Sequence, residues 1–348
     1  MKRSVYYGDY IQLNKLLHAQ KPLSSIHEEN LFIIVHQSFE LWFKQIILDL
    51  DSIISTFSQK ALKETELQMI VTRLSRIIQI QKLLLPKFDI LETMSPMEFL
   101  EFRDLLMPAS GFQSVQFREL EIKFGLKKDL RMKIGGETII SRFNKKDRKY
   151  LLDLETGPSL LQQLEKWLER TPFLLVEKFD FWNSYKKVVS DMLKSDEKFI
   201  RKNPTITSDQ KESELQNLKH IRATFNLLIE KKSGNNKLSR KAQISALFIM
   251  LYREEPILHL PYRLLSALMD IEENFRSFRL RHALLAQRML GTKIGTGGSS
   301  GHEYLKRTVD SSNIFNDLLN LSTFLIPKSK LPKLPKELKS KMGFAYDL

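Results

Sequence analysis

The chain contains no cysteine. That absence excludes a disulfide framework, a thiolate zinc site, a Cys-ligated iron–sulfur cluster and a cysteine nucleophile. Histidine is nearly as scarce. Only His18, His27, His36, His220, His259, His282 and His302 are present, so metal ligation or acid–base work must draw on these seven or on carboxylates. Glycine (13) and proline (12) are low for 348 residues, which argues against a turn-rich β sandwich and for long helices. No stretch approaches the ~18 consecutive apolar residues of a membrane span. The opening Met1-Lys2-Arg3-Ser4 lacks the apolar run of a signal peptide. A cytoplasmic chain with no membrane partner is therefore expected.

What is present is enough apolar side chain, 42% of residues, to bury a large core, so disorder is excluded. A prior of ~150 residues per domain allows two domains, and one large helical unit fits equally well. The formal charge of +14 invites a nucleic-acid reading, but its distribution does not form one stripe. Basic residues concentrate at 127–149 and again at 328–341, and residues 185–240 mix Lys, Glu and Ser. Scattered charge of this kind reads as a solvated surface, no nucleic-acid-binding motif accompanies it, and no nucleic-acid partner is expected. Pro327, Pro332 and Pro335 predict an extended rather than helical basic tail.

Apolar residues spaced by three and four predict helices over Leu31–Ile54, Glu66–Leu85, Pro96–Met107, Leu160–Leu168, Ser239–Tyr252, Tyr262–Leu290 and His302–Leu325. Ser95-Pro96 is a cap followed by a first-turn proline, and Gly291 is placed to end the longest helix. No alternating run is long enough to predict a sheet.

Two histidines sit in apolar stripes. On a helix His36 shares its face with Phe32, Phe39, Glu40 and Phe43, and His282 shares its face with Phe275, Phe278, Leu285, Ala286 and Met289. Taken alone, each pattern is more often a satisfied core histidine than a ligand. Two such positions in one chain are what an axial haem ligand in an aromatic pocket would need, although sequence spacing does not show that they face one pocket. Gly295-Thr296-Gly297-Gly298-Ser299-Ser300-Gly301 gathers four of the thirteen glycines. It reads either as a flexible linker or as a loop presenting N–H groups and a hydroxyl to an anion. Arg103, between Phe99 and Leu106 on one helical face, is either an exposed arginine paired with a nearby acid or, if buried, a carboxylate clamp.

Several blocks, in order, carry a family resemblance: Tyr7-Gly8-Asp9-Tyr10, His36-Gln37-Ser38-Phe39-Glu40-Leu41-Trp42-Phe43-Lys44-Gln45, Pro108-Ala109-Ser110-Gly111-Phe112-Gln113-Ser114, Trp167-Leu168-Glu169-Arg170-Thr171-Pro172, the 295–301 loop, and Asn320-Leu321-Ser322-Thr323-Phe324-Leu325-Ile326-Pro327. Together they resemble the tryptophan 2,3-dioxygenase family, over about residues 6–327. Residues 184–240, expected as a variable helical region, and the basic Lys/Pro tail 328–348 carry little of the resemblance.

The resemblance implies an all-α, helical-bundle haem dioxygenase, one large domain spanning 1–348. It implies assembly as a homotetramer (a dimer of dimers) that opens the indole 2,3-bond of L-tryptophan with O2 to give N-formyl-L-kynurenine, the first step of tryptophan catabolism by the kynurenine pathway. The implied cofactor is haem b, with Fe2+ in the active form. By motif, His282 matches the proximal axial ligand and Ser110 a serine at the haem edge. His36 matches the distal histidine that accepts a hydrogen bond from the indole N–H, a positioning role rather than that of a general base. Arg103 matches the carboxylate clamp and Thr296 the loop threonine that meets the amino-acid end. Phe32, Phe99 and Leu106 match the walls around the indole. Tyr7, Tyr10 and Ile11 match an N-terminal segment (within 1–25) that reaches a neighbouring subunit's site.

One departure stands beside the proximal position. Many family members read Trp-Arg-Tyr-Asn-His, and this chain reads Phe278-Arg279-Leu280-Arg281-His282. Arg281 points about 100° away from His282 on a helix, so it need not enter the pocket. The competing readings are a haem-binding tryptophan sensor or pseudoenzyme, and a basic helical binding module.

Overall fold

The computed structural model describes residues 5–128, 131, 133–134, 137–176, 179–229, 237–291, 293, 305–306, 308–309 and 313–343. The described chain is helical, as expected, apart from two short antiparallel pairs: β1 (Lys133–Ile134) with β2 (Glu137–Thr138), and β3 (Leu175–Val176) with β4 (Phe179–Asp180). The residues divide into two compact units, the first made of Met1–Ser52, Ser75–Pro158 and Ile271–Asn313, the second of Ile53–Leu74, Ser159–Asp270 and Ile314–Leu348.

The first unit opens with two short helices, α1 (Tyr7–Tyr10) and α2 (Leu13–Leu17), followed by most of α3 (His27–Phe57). The entry to α3 is pinned by a buried carboxylate. Glu29 accepts from Leu23 N (2.7 Å), Ser24 N (2.7 Å) and Ser24 Oγ (2.6 Å). Burial raises its pKa, but those hydrogen bonds hold it below its ordinary value. By length and mean hydropathy α3 is apolar enough to cross a membrane, although it holds no uninterrupted apolar run of that length. Its sequence carries His36, Glu40, Lys44, Asp49 and Asp51 among the apolar residues, and its buried Val35, Phe39, Phe43, Ile46 and Leu50 belong to the core.

The same unit continues through the later part of α4 (Glu64–Leu84), α5 (Pro86–Leu91) and α6 (Pro96–Arg103) to α7 (Val115–Phe124) and α8 (Lys145–Leu154). Ser95 and Glu98 form a reciprocal capping box at α6, with Pro96 in the first turn, as the sequence predicts. The predicted continuation to Met107 does not occur as α-helix: after Arg103 the chain tightens into a 3-10 turn, Asp104–Leu106. Pro108 disfavours the helical region for the residue before it, and Met107 is extended. The last element is the greater part of α13 (His259–Leu290), which stops at Gly291 in the left-handed region, φ +58°.

The second unit packs α9 (Leu160–Glu169) against α12 (Arg240–Leu251) and α10 (Phe181–Lys202) against α11 (Ser208–Ile229). Leu160, Leu164 and Leu168 form the buried stripe of α9; Ala242, Ala246 and Phe248 are buried on α12. Ser239 caps α12, and two carboxylates of α9 reach the same residue: Ser239 N donates to Glu165 Oε1 (2.6 Å) and Ser239 Oγ to Glu169 Oε1 (2.6 Å).

Two expectations fail in this unit. The predicted His302–Leu325 helix is broken, since the described residues 313–315 are non-helical and a short α14 (Asn316–Asn320) and a 3-10 turn, Leu321–Phe324, follow. The sequence Asp310-Ser311-Ser312-Asn313 offers side chains that compete with helical backbone bonds, and Ile314 and Phe315 bury their side chains where the break falls. The basic tail is not extended throughout, because α15 (Lys336–Lys341) forms after Pro335. A proline is tolerated at a helix start, and the turn seats Leu338 and Met342 in the core. Ile257 N donates to Met342 O (3.0 Å) and Tyr252 Oη to Pro332 O (2.7 Å), which ties the tail down.

Candidate active site

The first unit encloses a cavity of about 250 Å³ to which α3, α5, α6, α7 and α13 all contribute. Both stripe histidines line it, which sequence spacing left open. Around them stand Phe32, Phe39, Phe43, Phe88, Phe117 and Phe278, so aromatic rings form a large part of an apolar wall.

His36 lies tilted against Phe32, with ring centroids 4.1 Å apart, and meets Phe39 edge-on at 6.2 Å. Its Nδ1 lies 2.7 Å from the Phe32 carbonyl oxygen. A carbonyl only accepts, so Nδ1–H donates and Nε2 keeps the lone pair. Burial pulls the His36 pKa below its ordinary value, against the opposing pull of the Phe32 hydrogen bond and the Glu40 charge. Glu40 is held in turn by Gln116 Nε2, which donates to its Oε2 at 2.7 Å.

His282 lies near-parallel to Phe88 at 6.1 Å. Burial, with His36 and the Arg118 guanidinium adding to it, pushes its pKa down to about 4. Its imidazole is therefore neutral at pH 7 and its lone pair is available to a metal.

Phe278, where many family members carry tryptophan, is the hub of the aromatic wall, with ring centroids 5.0 Å from Phe88, 5.6 Å from Phe39 and 5.8 Å from Phe117. Arg281 is absent from the cavity lining and pairs with Asp89 and, at 3.3 Å, with Glu92, as its helical angle predicts.

Of the other residues singled out from sequence, Phe32, Phe99 and Ser110 line the cavity. Ser110 caps a 3-10 turn, Gly111–Gln113, its Oγ accepting from Phe112 N at 3.4 Å. Arg103 and Leu106 are not among the lining residues. The exposed-arginine reading fails, because Arg103 is 9% exposed and its Nε lies 4.0 Å from the Asp104 carboxylate. The helical face expected to carry Phe99, Arg103 and Leu106 together is broken, since Leu106 falls in the 3-10 turn. Tyr7, Tyr10 and Ile11 do not line the cavity either, and the two tyrosines are 74% and 79% exposed. Thr296 and the 295–301 loop lie outside the described residues.

Sequence reasoning missed the polar end of the cavity, formed by Arg118, Glu121, Arg279, Ser114 and Thr308. Arg118 and Glu121 are three apart on α7, and the signal available was a charged pair inside an otherwise apolar face.

A haem fits these donors. No group of three His, Asp or Glu side chains stands together to hold a bare ion among the described residues, so a metal here must bring its own ligand frame and ask the protein for one axial donor. His282 is such a donor, neutral and part-buried. The aromatic walls suit the faces of a macrocycle, and the buried Arg118 Nε, which has no hydrogen-bond partner, is a donor suited to an anionic edge.

Comparison with known proteins places the chain in a family. The sequence model of the family described as tryptophan 2,3-dioxygenase matches residues 1–325. The chain is 48% identical to the tryptophan 2,3-dioxygenase of Alteromonas mediterranea over 99% of both chains. It is 45% identical to that of Bdellovibrio bacteriovorus over 98% of this chain and 99% of the relative. It is 46% identical to that of Dictyostelium discoideum over the whole of this chain and 90% of the relative.

Proposed function

Since the chain belongs to the tryptophan 2,3-dioxygenase family and so catalyses the opening of the indole ring of L-tryptophan by O2, we propose that the chemistry runs in the His36–His282 cavity with haem b as cofactor. The observation that carries this reading is the convergence of two part-buried imidazoles, both with lowered pKa, on one apolar cavity. When bound, haem supplies the reduced iron at which O2 is activated. His282 would hold the haem iron through its imidazole. It needs no proton removed at pH 7, so binding the cofactor costs no deprotonation.

His36 orients the substrate. Its Nδ1–H is committed to the Phe32 carbonyl, so Nε2 is left to accept the indole N–H. Phe32 and Phe99, whose centroids are 5.8 Å apart, form walls that bury the indole and exclude water. Arg103, one turn beyond Phe99 on α6, is the cation assigned to the substrate carboxylate, and Leu106, in the 3-10 turn that follows, is assigned to the indole side of the site. Thr296 meets the amino-acid end, and Ser110 stands at the cofactor edge. The exposed Tyr7 and Tyr10, with Ile11, form a segment suited to reach the site of a neighbouring subunit in a homotetramer. On this reading residues 1–348 act as one catalytic domain, in the cytoplasm, yielding N-formyl-L-kynurenine.

Reconstituting the purified protein with haem tests the proposal. A Soret band that shifts with carbon monoxide, and conversion of L-tryptophan to N-formylkynurenine under reductant and O2, are expected. A protein that stays colourless after haem addition overturns the cofactor, and a coloured protein without product overturns the site.

A further inference from the structure

Two three-residue spacings meet at the polar end of the cavity: Arg118 and Glu121 on α7, Arg279 and His282 on α13. Glu121 is 4% exposed and lies between the two arginines. Arg118 Nη1 donates to its Oε2 at 2.8 Å, and Arg279 Nη2 donates to its Oε1 at 3.2 Å. Arg279 is as deeply buried as Glu121, and burial pulls its guanidinium pKa below the ordinary value against the charges of Glu121 and Glu272. Each guanidinium also lies over an aromatic face, Arg118 over Phe117 at 4.9 Å and Arg279 over Phe275 at 5.5 Å. All three charged groups and His282 line the same cavity.

Nothing in the reaction described above uses Glu121. A buried carboxylate costs several kcal/mol of lost hydration, and this one is repaid by two cations on two helices. Two consequences follow. The Glu121–Arg279 bond clamps α13 to α7 one turn before His282, which fixes the aim of the imidazole. The carboxylate also offsets two positive charges beside the axial position, where the apolar surroundings screen them poorly.

We propose that Glu121 is a positioning residue of the cofactor site, holding the His282 turn of α13 through Arg279 and setting the reduction potential of the iron by countering Arg118 and Arg279. The inference rests on haem binding as proposed above. Reduction adds one electron to the iron and lowers the site's charge by one, so a more positive surrounding favours the reduced form.

The test is spectroelectrochemical titration of the haem-loaded full chain, with resonance Raman of the iron–imidazole stretch in the ferrous state. Glu121→Gln keeps the shape and removes the charge, and it is expected to shift the midpoint potential positively and to move or broaden the stretch. Glu121→Asp keeps the charge and is expected to stay near the wild-type potential. The double variant Glu121→Gln/Arg118→Gln restores the charge balance and is expected to bring the potential back toward wild type. A purely structural role predicts no such recovery. Should Glu121→Gln fail to fold, Arg118→Gln alone, with Glu121 retained, is expected to shift the potential negatively. An unchanged potential in the single variants, or a double variant displaced further than Glu121→Gln, overturns the proposal. A wild-type protein that takes up no haem overturns the cofactor assignment instead.

Discussion

Lowering the pH of the haem-free protein isolates the state of His282. An unfolded histidine takes up its proton near ~6.5, whereas burial holds His282 neutral in the folded chain down to about 4. Between those values the unfolded chain binds more protons than the folded one, so stability rises with pH. The contribution of His282 is whole above the unfolded pKa and is lost as the pH falls through the window. Integrating across it, relative to pH 7, the loss is about 2 kcal/mol at pH 5 and about 3 kcal/mol at pH 4. Other groups titrate in the same range, so the measurement is a difference. Urea unfolding of the wild type and of His282→Gln is followed by circular dichroism at pH 7, 6, 5 and 4. The glutamine carries no proton, and titrations common to both proteins cancel. The gap between the two unfolding free energies should move by the stated amounts, wild type losing ground on acidification. A gap that stays flat from pH 7 to pH 4 would show that folded His282 titrates at its ordinary value, and the argument for a preformed neutral ligand would fail.

Three further outcomes are expected. His36→Ala should retain the Soret band but narrow the preference for L-tryptophan over its 1-methyl analogue by up to about tenfold in kcat/KM, the value of one neutral hydrogen bond; an unchanged ratio refutes the indole contact. Arg281→Ala, which removes only half-exposed ion pairs to Asp89 and Glu92, should cost less than about 1 kcal/mol and leave the Soret maximum in place. Leu338→Ala, in a side chain 2% exposed, should lower the unfolding free energy by about 2–5 kcal/mol; a negligible loss in urea melts would mean that the basic tail is not docked.

What could be read along the chain was periodic or local. The spacing of apolar residues gave α3, α4, α9, α12 and α13 to within a few positions, because burying one helical face requires that spacing whatever the partner is, whereas the bounds of α10 and α11 were not picked out in their mixed-charge sequence. Caps were equally legible: Ser95 and Gly291 stand where the structure uses them, since a cap acts on backbone groups only a few residues away. The tail and the 302–325 segment were misread because their conformation depends on what Leu338, Met342, Ile314 and Phe315 pack against, which local propensity does not contain.

The candidate site divides along the same line. Composition reduced the ligands to seven histidines, and the aromatic stripes picked out His36 and His282. Only the tertiary structure brought α3 and α13 around one cavity, lowered the pKa of both imidazoles through desolvation, and set Glu121 between Arg118 and Arg279. A sequence specifies which faces of its helices are apolar and where those helices stop. Which charges then share a low-dielectric interior, and what that does to a lone pair, is decided by distances between residues more than a hundred positions apart.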